Sequence, residues 1–354
     1  YHTTPYLLLF LPAALLFYQI TPAKWRSYTL LIFSYLFFWS FSEKLIIYLI
    51  GTTFLTHHIC IWMDTMDKRD KRKKRVLQLG IFLLLGTILC LKYRNFFFGN
   101  VSKLAMLLHI DWSYRDQLIF LPIGISFYTL SAIGYMADVY WGKVKAEYSL
   151  VKTALFLGFF PIIVEGPICR WEDVESTLFK NESVKAANVF KGSYRIIWGL
   201  FKKMIIADRL AVLVDKVYVG YESYSGAVIV AAAISYTIQL YMEFSGCMDM
   251  VIGSAGLFGI RLPENFSQPF FAKTCTDFWK RWHITLGVWF KNYIFYPVSI
   301  SKTARKWNKF TRKHFKGDFG KYMARMGIAA MALFPVWISN GLWHGPKWNY
   351  ISLV

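Results

Sequence analysis

Long apolar runs separated by short charged stretches are the feature that most constrains how this chain can fold. A run of about 20 apolar residues is long enough to cross a bilayer as a helix. Inside the bilayer, only helices and closed barrels satisfy all of their backbone hydrogen-bonding groups. The chain is 56% hydrophobic, compared with about 45–50% in soluble domains. The sequence therefore predicts an all-α polytopic membrane protein.

We predict a single membrane domain over residues 1–354, with roughly ten transmembrane or re-entrant segments. The apolar runs behind this prediction are Tyr6–Ile20, Tyr28–Phe41, Lys44–Trp62, Val76–Leu91, Phe96–Ile110, Leu118–Val139, Leu150–Ile168, Phe190–Leu213, Ala227–Phe244, Cys247–Phe258, Phe278–Val298 and Tyr322–Trp343. Pro and Gly at 121–124, and Gly246, predict broken helices at those points. Lys202 and Lys203 favour an interfacial or tilted helix over a lipid-exposed span. The first run lacks a basic leader and a cleavage site, so we expect a membrane segment with further residues before it.

The charge pattern indicates which side of the membrane the loops occupy. The formal net charge is +20, and basic residues concentrate at 66–75 and 301–321. Loops rich in Lys and Arg favour the cytoplasmic side, where they meet anionic lipid. We therefore expect a multi-pass protein of the cytoplasmic (inner) membrane that contacts lipid and binds no nucleic acid. The five cysteines are scattered, which predicts neither a disulfide framework nor a zinc site.

Two of the seven histidines are candidates for chemistry. An intramembrane His is costly unless it faces a protein interior or a water-filled cavity. His283 follows a Trp-rich stretch that, if helical, places Trp279, Trp282 and His283 on one face. His344 lies between Gly341 and Gly345, which would leave its backbone open to a substrate. A neutral imidazole can remove a proton from a hydroxyl, and the third ligand that zinc would need is missing. The neighbours expected to support the two rings are Asn340, Trp343, Trp282 and Arg281.

Three carboxylates stand within apolar sequence: Glu165, Glu243 and Asp249. They could orient a histidine or pair with Arg281. The alternative is a structural ion pair with a Lys or Arg, or a cap on a broken helix. The glycines at 253, 256 and 259 lack the context of a nucleotide-binding loop and favour close helix packing.

Several short motifs now combine into one resemblance. They are Leu121-Pro-Ile-Gly-Ile-Ser-Phe-Tyr128, Asp138-Val-Tyr140, Gly166-Pro-Ile168 with Arg170, Gly199-Leu-Phe-Lys-Lys203, Ile206-Ala-Asp-Arg-Leu210, Phe244-Ser-Gly246 with Asp249, Arg261-Leu-Pro-Glu-Asn-Phe266, Asp277-Phe-Trp-Lys-Arg-Trp-His283 and Gly341-Leu-Trp-His-Gly345. In content and order they resemble the bacterial branch of the membrane-bound O-acyltransferases. That branch includes the alginate and peptidoglycan O-acetyltransferase membrane subunits and, more distantly, the D-alanyl transfer protein for teichoic acids. The resemblance covers the chain from about Leu118 to its end.

The resemblance implies more than the residues show alone. It implies that His344 is the catalytic residue and that His283 is the second histidine of the active site. It implies a helical ring around a thinned centre, where a funnel and a tunnel meet at the two rings. Glu165 departs from the small residue expected at its position. Family members continue through more membrane helices beyond this point, so we expect terminal residues outside the sequence.

These observations predict a membrane O-acyltransferase that passes an acyl group toward an extracytoplasmic polysaccharide or peptidoglycan. We expect this acyl group to be acetyl. The donor would be acetyl-CoA or another acyl thioester, including an acyl-carrier donor, and no cofactor would be permanently bound. His344 would act as general base, and His283 would orient the donor or stabilise developing charge. The expected partner is an extracytoplasmic transferase of the SGNH type. The alternatives are D-alanyl transfer to teichoic acid, a non-enzymatic transporter, and a scaffold that only recruits a transferase.

Overall fold

The regular secondary structure of the described residues is helical. The computed structural model describes residues 1–67 and 70–352, and all its named elements there are helices. An isolated antiparallel bridge between Phe266 and Trp282 is the only β pairing within these residues. Lys68 and Arg69, which belong to the predicted basic stretch 66–75, lie outside the described residues. The all-α prediction is confirmed.

Seventeen α-helices follow one another in the described residues. They are α1 (Leu11–Ile20), α2 (Arg26–Ser42), α3 (Ile46–Asp64), α4 (Lys71–Ile88), α5 (Arg94–Leu107), α6 (Ile125–Trp141), α7 (Leu150–Gly158), α8 (Trp171–Leu178), α9 (Ala186–Leu200), α10 (Asp208–Val219), α11 (Gly226–Leu257), α12 (Cys275–Trp279), α13 (Ile284–Phe290), α14 (Tyr296–Ser299), α15 (Lys302–His314), α16 (Gly317–His344) and α17 (Trp348–Ser352). Short π-helical turns extend or join several of them, at Pro5–Phe10, Leu89–Tyr93, Phe201–Ala207 and Lys291–Phe295.

Four helical stretches of the described chain are long and apolar enough to cross a membrane. They are Ala23–Asp64, Lys71–Leu107, Gly226–Leu257 and Gly317–His344, and the shorter Pro5–Ile20 is also apolar. Only 6% of the most apolar window of Gly226–Leu257 is buried within the protein. So much exposed apolar surface is typical of a helix that has lipid as its solvent. The chain is therefore an all-α membrane protein, while a ring of about ten helices stays a prediction.

The chain divides into two compact units, each built from two separate stretches. The first unit joins Tyr1–Ile46 to Glu147–Thr285. The second joins Ile47–Ala146 to the residues from Leu286 onward. In the first unit, the fully buried Phe160 packs its ring against Phe10 at a centroid distance of 5.2 Å.

The predicted break at Gly246 is wrong, because α11 runs unbroken from Gly226 to Leu257. Gly246 instead lets α9 approach closely. A Cβ atom on Gly246 would lie 2.8 Å from the carbonyl oxygen of Gly199, and one on Gly253 would lie 2.8 Å from that of Gly192. Small residues that bring two helix backbones together are typical of membrane interfaces. The packing interpretation of Gly253 is confirmed, and the same interpretation explains Gly246.

We expect Gly199→Ala to destabilise the first unit. Its new Cβ would lie 2.5 Å from the backbone oxygen of Gly246, so the two helices would have to separate. Overpacking of this kind costs about 1–3 kcal/mol. Thermal unfolding in detergent should show a lower Tm, while Gly86→Ala, whose Cβ would meet nothing within 4 Å, should not lower it. Equal Tm values for both variants would contradict the tight packing.

The predicted break near residue 121 is confirmed. Residues 110–122 carry no helix, and α6 begins at Ile125 immediately after Gly124, which has a φ of +80°. Glycine adopts this left-handed conformation at little cost, which explains its place at the turn. The run predicted as Leu118–Val139 therefore forms a helix only in its second part.

Candidate functional site

His283 lies outside any helix, in the segment that joins α12 to α13. The expectation that Trp279, Trp282 and His283 share a helical face is wrong, because α12 ends at Trp279 and His283 has a φ of +44°. Positive φ is uncommon for a residue with a side chain and is often found at functional sites. Here the conformation is held by pairing with an upstream segment: Ile284 N–H donates to the Asn265 carbonyl at 2.9 Å. The ring of His283 is buried, with 7% of the residue exposed.

The side chain of Asn265 holds the imidazole in place. Asn265 is fully buried, and its Oδ1 lies 3.2 Å from Nδ1 of His283. The same oxygen accepts hydrogen bonds from the backbone N–H of Thr285 at 3.1 Å and from its hydroxyl at 2.9 Å. Thr285 in turn accepts from the backbone N–H of Ile168 at 3.2 Å. One amide oxygen therefore fixes both the ring and the start of α13.

This network also determines which ring nitrogen carries the proton. A backbone N–H can only donate, so the Asn265 atom that faces Thr285 N must be the oxygen. His283 Nδ1 must then donate to that oxygen, which leaves Nε2 as the unprotonated nitrogen of the neutral ring. Nε2 can accept a proton or a hydrogen bond. It can donate toward a negative charge only after the ring has become an imidazolium.

We expect Asn265→Ala to reduce activity by about 100-fold, because a catalytic group misplaced by about 1 Å can cost that much. Asn265→Asp keeps the accepting oxygen and should recover part of the rate. Its carboxylate would stabilise the imidazolium, so the pH optimum should move upward. Activity per folded protein against pH measures both effects. Asn188→Ala, on α9 of the same unit, serves as the control, and an unchanged pH profile for Asn265→Asp would contradict the positioning role.

Aromatic rings pack around His283 and its neighbour Trp282. The ring of Phe244, on α11, meets the imidazole edge to face at a centroid distance of 4.9 Å. Trp282 stacks on Phe278 at 5.7 Å and meets Phe266 at 5.2 Å, and Phe266 in turn meets Phe244 at 5.0 Å. The ring of Trp282 thus packs against other aromatic rings, and its expected support of the His283 imidazole stays a prediction.

The carboxylates form structural ion pairs. Asp249 accepts from Arg195 at 3.0 Å and from Lys202 at 2.7 Å, and it is 8% exposed. Glu243 accepts from Lys203 at 2.7 Å. Unpaired charges would be costly at such positions, and these bonds join α11 to α9 and to the π-helical turn that follows it. The structural alternative is therefore confirmed for Glu243 and Asp249.

The expected pairing of these carboxylates with Arg281 is not observed in the described residues. Arg281 donates instead to Asp277, four residues earlier, at 2.9 Å. This hydrogen bond lowers the pKa of the Asp277 carboxyl. Glu165 lies exposed in the irregular segment between α7 and α8.

A polar cavity of about 440 Å³ lies next to the Asn265–His283 pair. Its lining residues are Arg195, Lys202, Tyr241, Ser245, Met248, Asp249, Glu264, Asn265, Phe266, Ser267 and Gln268. Asn265 thus touches the cavity and the imidazole at once. The cavity is large enough to receive part of a polar ligand beside the oriented ring.

His344 is the last residue of α16, in the second unit. Four carbonyl groups at a helix C-terminus lack partners within the helix. Lys92 is the partner of one of these carbonyl groups, because its ammonium donates to the Trp343 carbonyl at 2.6 Å. A cation at this end also interacts favourably with the helix dipole. Lys92 comes from the π-helical turn Leu89–Tyr93, so it fixes the end of α16 from another helix.

The side chains around His344 come from both sides of it in sequence. The Trp343 ring lies 4.9 Å from the imidazole and meets Phe127 at 5.5 Å. Tyr350 stacks on the imidazole at 6.0 Å, and a Cβ atom on Gly345 would lie 3.1 Å from that tyrosine ring. The expectation that Gly345 leaves open backbone is wrong, because Tyr350 covers it. Asn340 lies one turn before His344 on α16, on the same face.

We expect Lys92→Met to lower activity by at least about tenfold, since a hydrogen bond from a charged group contributes about 1.5–3 kcal/mol. Lys92→Arg keeps a cation and should retain most of the rate. Lys103→Met, an exposed position on the same membrane stretch, is the matched control. Steady-state rates with normalised protein measure the difference. Full activity of Lys92→Met would show that this bond does not support the end of α16.

Sequence reasoning assigned no role to Lys92 or to Asn265, although Asn265 lies in the quoted motif Arg261–Phe266. Asn265 is 18 positions from His283, and Lys92 is 251 positions from Trp343. Lys92 did carry a signal, because a lysine within an apolar run must find a polar partner. The described residues hold no cluster of three or more His, Cys, Asp or Glu suited to a metal ion.

Comparisons with known proteins agree on one family. Residues 144–312 match the family model described as membrane-bound O-acyltransferase, a range that includes Asn265 and His283. The probable alginate O-acetylase AlgI of Pseudomonas putida is 32% identical over 98% of this chain and 66% of its own length. The peptidoglycan O-acetyltransferase of Helicobacter pylori is 28% identical over 99% of this chain and 67% of its own. The teichoic acid D-alanyltransferase of Bacillus subtilis is 28% identical over 65% of this chain and 55% of its own.

The chain belongs to the membrane-bound O-acyltransferase family. The resemblance found in its short motifs is thereby confirmed. The chain spans 66% of the length of the Pseudomonas putida relative and 62% of that from Pseudomonas aeruginosa.

Proposed function

We propose that this chain belongs to an O-acetyltransferase that moves an acetyl group from a cytoplasmic thioester toward an extracytoplasmic polymer. The observation that carries the proposal is the buried imidazole of His283, whose Nδ1 is held by Asn265 beside a polar cavity. Family membership supplies the reaction class, since several relatives are named O-acetylases or O-acetyltransferases.

In this proposal the two histidines serve one transfer. His344 Nδ1 or Nε2 takes the proton of an acceptor hydroxyl or of a relay residue as that group attacks the thioester carbonyl. The C–S bond then breaks, and the thiolate of the donor takes up the proton from the His344 imidazolium. His283 presents unprotonated Nε2, so it orients the reactants by accepting a hydrogen bond. No permanently bound cofactor is required, and acetyl-CoA is the preferred donor.

The acceptor polymer lies outside the cell in this proposal, and an SGNH-type transferase there completes the transfer. Support comes from the names of two relatives, a probable alginate O-acetylase and a peptidoglycan O-acetyltransferase. Because the polymer and the partner both lie outside the cell in this proposal, the acetyl group moves outward across the cytoplasmic membrane. Helices arranged around a thinned centre would shorten that path.

The test uses vesicles containing the purified protein, with labelled acetyl-CoA added on one side only. We expect thioester consumption that depends on His344, and labelled acetyl groups on an acceptor enclosed with the partner on the other side. Absence of thioester consumption, together with solute flux in the absence of any donor, would favour a transporter instead. Activity retained after replacement of both histidines would favour a scaffold.

D-alanyl transfer to teichoic acid is the second candidate, because two relatives are named for that reaction. The two candidates differ in their donor. Acetyl-CoA and a D-alanyl carrier protein can be offered separately to the same vesicles. Consumption of the carrier thioester alone would replace acetyl by D-alanyl in the proposal.

A further inference from the structure

We infer that α15 is a docking surface for anionic phospholipid at the membrane interface. The helix Lys302–His314 carries six exposed cations and no acidic residue. The six cations are Lys302, Arg305, Lys306, Lys309, Arg312 and Lys313. The inference concerns a surface outside the histidine site and does not depend on the acyl-transfer reaction.

The cations form a single stripe along the helix. At 3.6 residues per turn, the six positions fall within an arc of about 120°. The opposite face is packed: Ala304 and Thr311 are buried, and Trp307 donates from Nε1 to the Met323 carbonyl of α16 at 3.2 Å. The stripe therefore faces away from α16.

Helix stability accounts for only part of this arrangement: Arg312 and Lys313, in the last turn, interact favourably with the helix dipole. Like charges four residues apart repel each other, as between Lys302 and Lys306 or between Lys309 and Lys313. A cation in the first turn, such as Lys302, also opposes the helix dipole. None of the six cations forms an ion pair with any residue in the described ranges. An external anionic surface would offset the repulsion that the chain itself leaves in place.

The place of α15 in the chain favours lipid as that surface. Only Phe315 and Lys316 separate it from α16, which is one of the stretches long and apolar enough to cross a membrane. A basic amphipathic helix directly beside a span is typical of binding to anionic headgroups. Phe310, 48% exposed beside the stripe, adds an apolar ring that can enter the headgroup region. A soluble acidic protein would not need this proximity to the span.

The test compares the full chain with a variant in which four lysines become glutamine. The substitutions are Lys302→Gln, Lys306→Gln, Lys309→Gln and Lys313→Gln. The protein is placed in nanodiscs of phosphatidylcholine with an equal part of phosphatidylglycerol, then released and examined for retained lipid by native mass spectrometry. We expect the variant to retain at least about fivefold less phosphatidylglycerol. A loss of that size already corresponds to one basic residue, which contributes about 1 kcal/mol near an anionic surface.

Two controls separate this surface from net charge and from misfolding. The first removes the same charge from exposed lysines elsewhere. Its substitutions are Lys103→Gln, Lys180→Gln, Lys191→Gln and Lys216→Gln. The second replaces the four α15 lysines by arginine, and both controls should retain lipid as the wild type does. Equal retention by the glutamine variant, an equal loss in the scattered control, or full displacement of the lipid by inorganic phosphate would overturn the inference.

Discussion

Replacement of His344 by Ala is expected to abolish polymer acetylation in cells. Loss of a general base costs about 100-fold or more in rate. His344 is the last residue of α16, and the bond from Lys92 to Trp343 beside it fixes the helix end. The measurement is the acetyl content of the isolated polymer, with membrane levels of the protein determined in the same cells.

His58→Ala is the matched control for this variant. His58 is also an exposed histidine on a membrane helix of the second unit, and its ring contacts the Phe54 carbonyl at 2.8 Å. The control should acetylate normally. Normal acetylation by His344→Ala at a normal protein level would end the assignment of His344 as the base.

Replacement of His283 by Ala is expected to have an effect of similar size. The hydrogen bond from Nδ1 to Asn265 keeps the proton of the neutral ring on Nδ1. Nε2 is therefore unprotonated and can accept a hydrogen bond from a reactant. Thioester consumption by the purified protein is the appropriate measurement, because it needs neither polymer nor partner. We expect a loss of about 100-fold or more, because reactants that are misplaced by about 1 Å can lose that much rate.

Stability must be measured beside the rate for this variant. The imidazole is buried and its loss leaves space near Phe244, so some decrease in Tm is expected. Assays well below the Tm of the variant separate the two effects. A rate that stays near the wild-type value while the Tm falls would show that His283 has only a packing role.

The class of fold could be predicted from the sequence because a helix that crosses lipid needs a long run of apolar residues. Apolar runs long enough to span a bilayer appear directly in the residue order, and Gly226–Leu257 is one of the spans that resulted. This requirement does not determine the role of a glycine in such a run, because glycine is found both at helix breaks and where two helices pack closely. At Gly246 packing prevailed, because the α9 backbone lies where a side chain would be.

The sequence singles out the two histidines as candidates, whose role stays a prediction, but it does not reveal the groups that hold them. Local periodicity suggested a helical face for His283, whereas pairing with the segment around Asn265 produced a turn with positive φ. Such pairing depends on contacts between distant parts of the chain. For the same reason the partner of Asp249 could be predicted by type, a Lys or Arg, but not by position.

The double variant His283→Ala/His344→Ala tests the central claim most directly, through thioester turnover by purified protein beside that of the two single variants. If both imidazoles serve one transfer step, the double variant should be about as slow as the slower single variant, since groups that act as a unit are strongly non-additive. Losses that multiply would instead show two independent contributions and contradict the claim of a shared reaction.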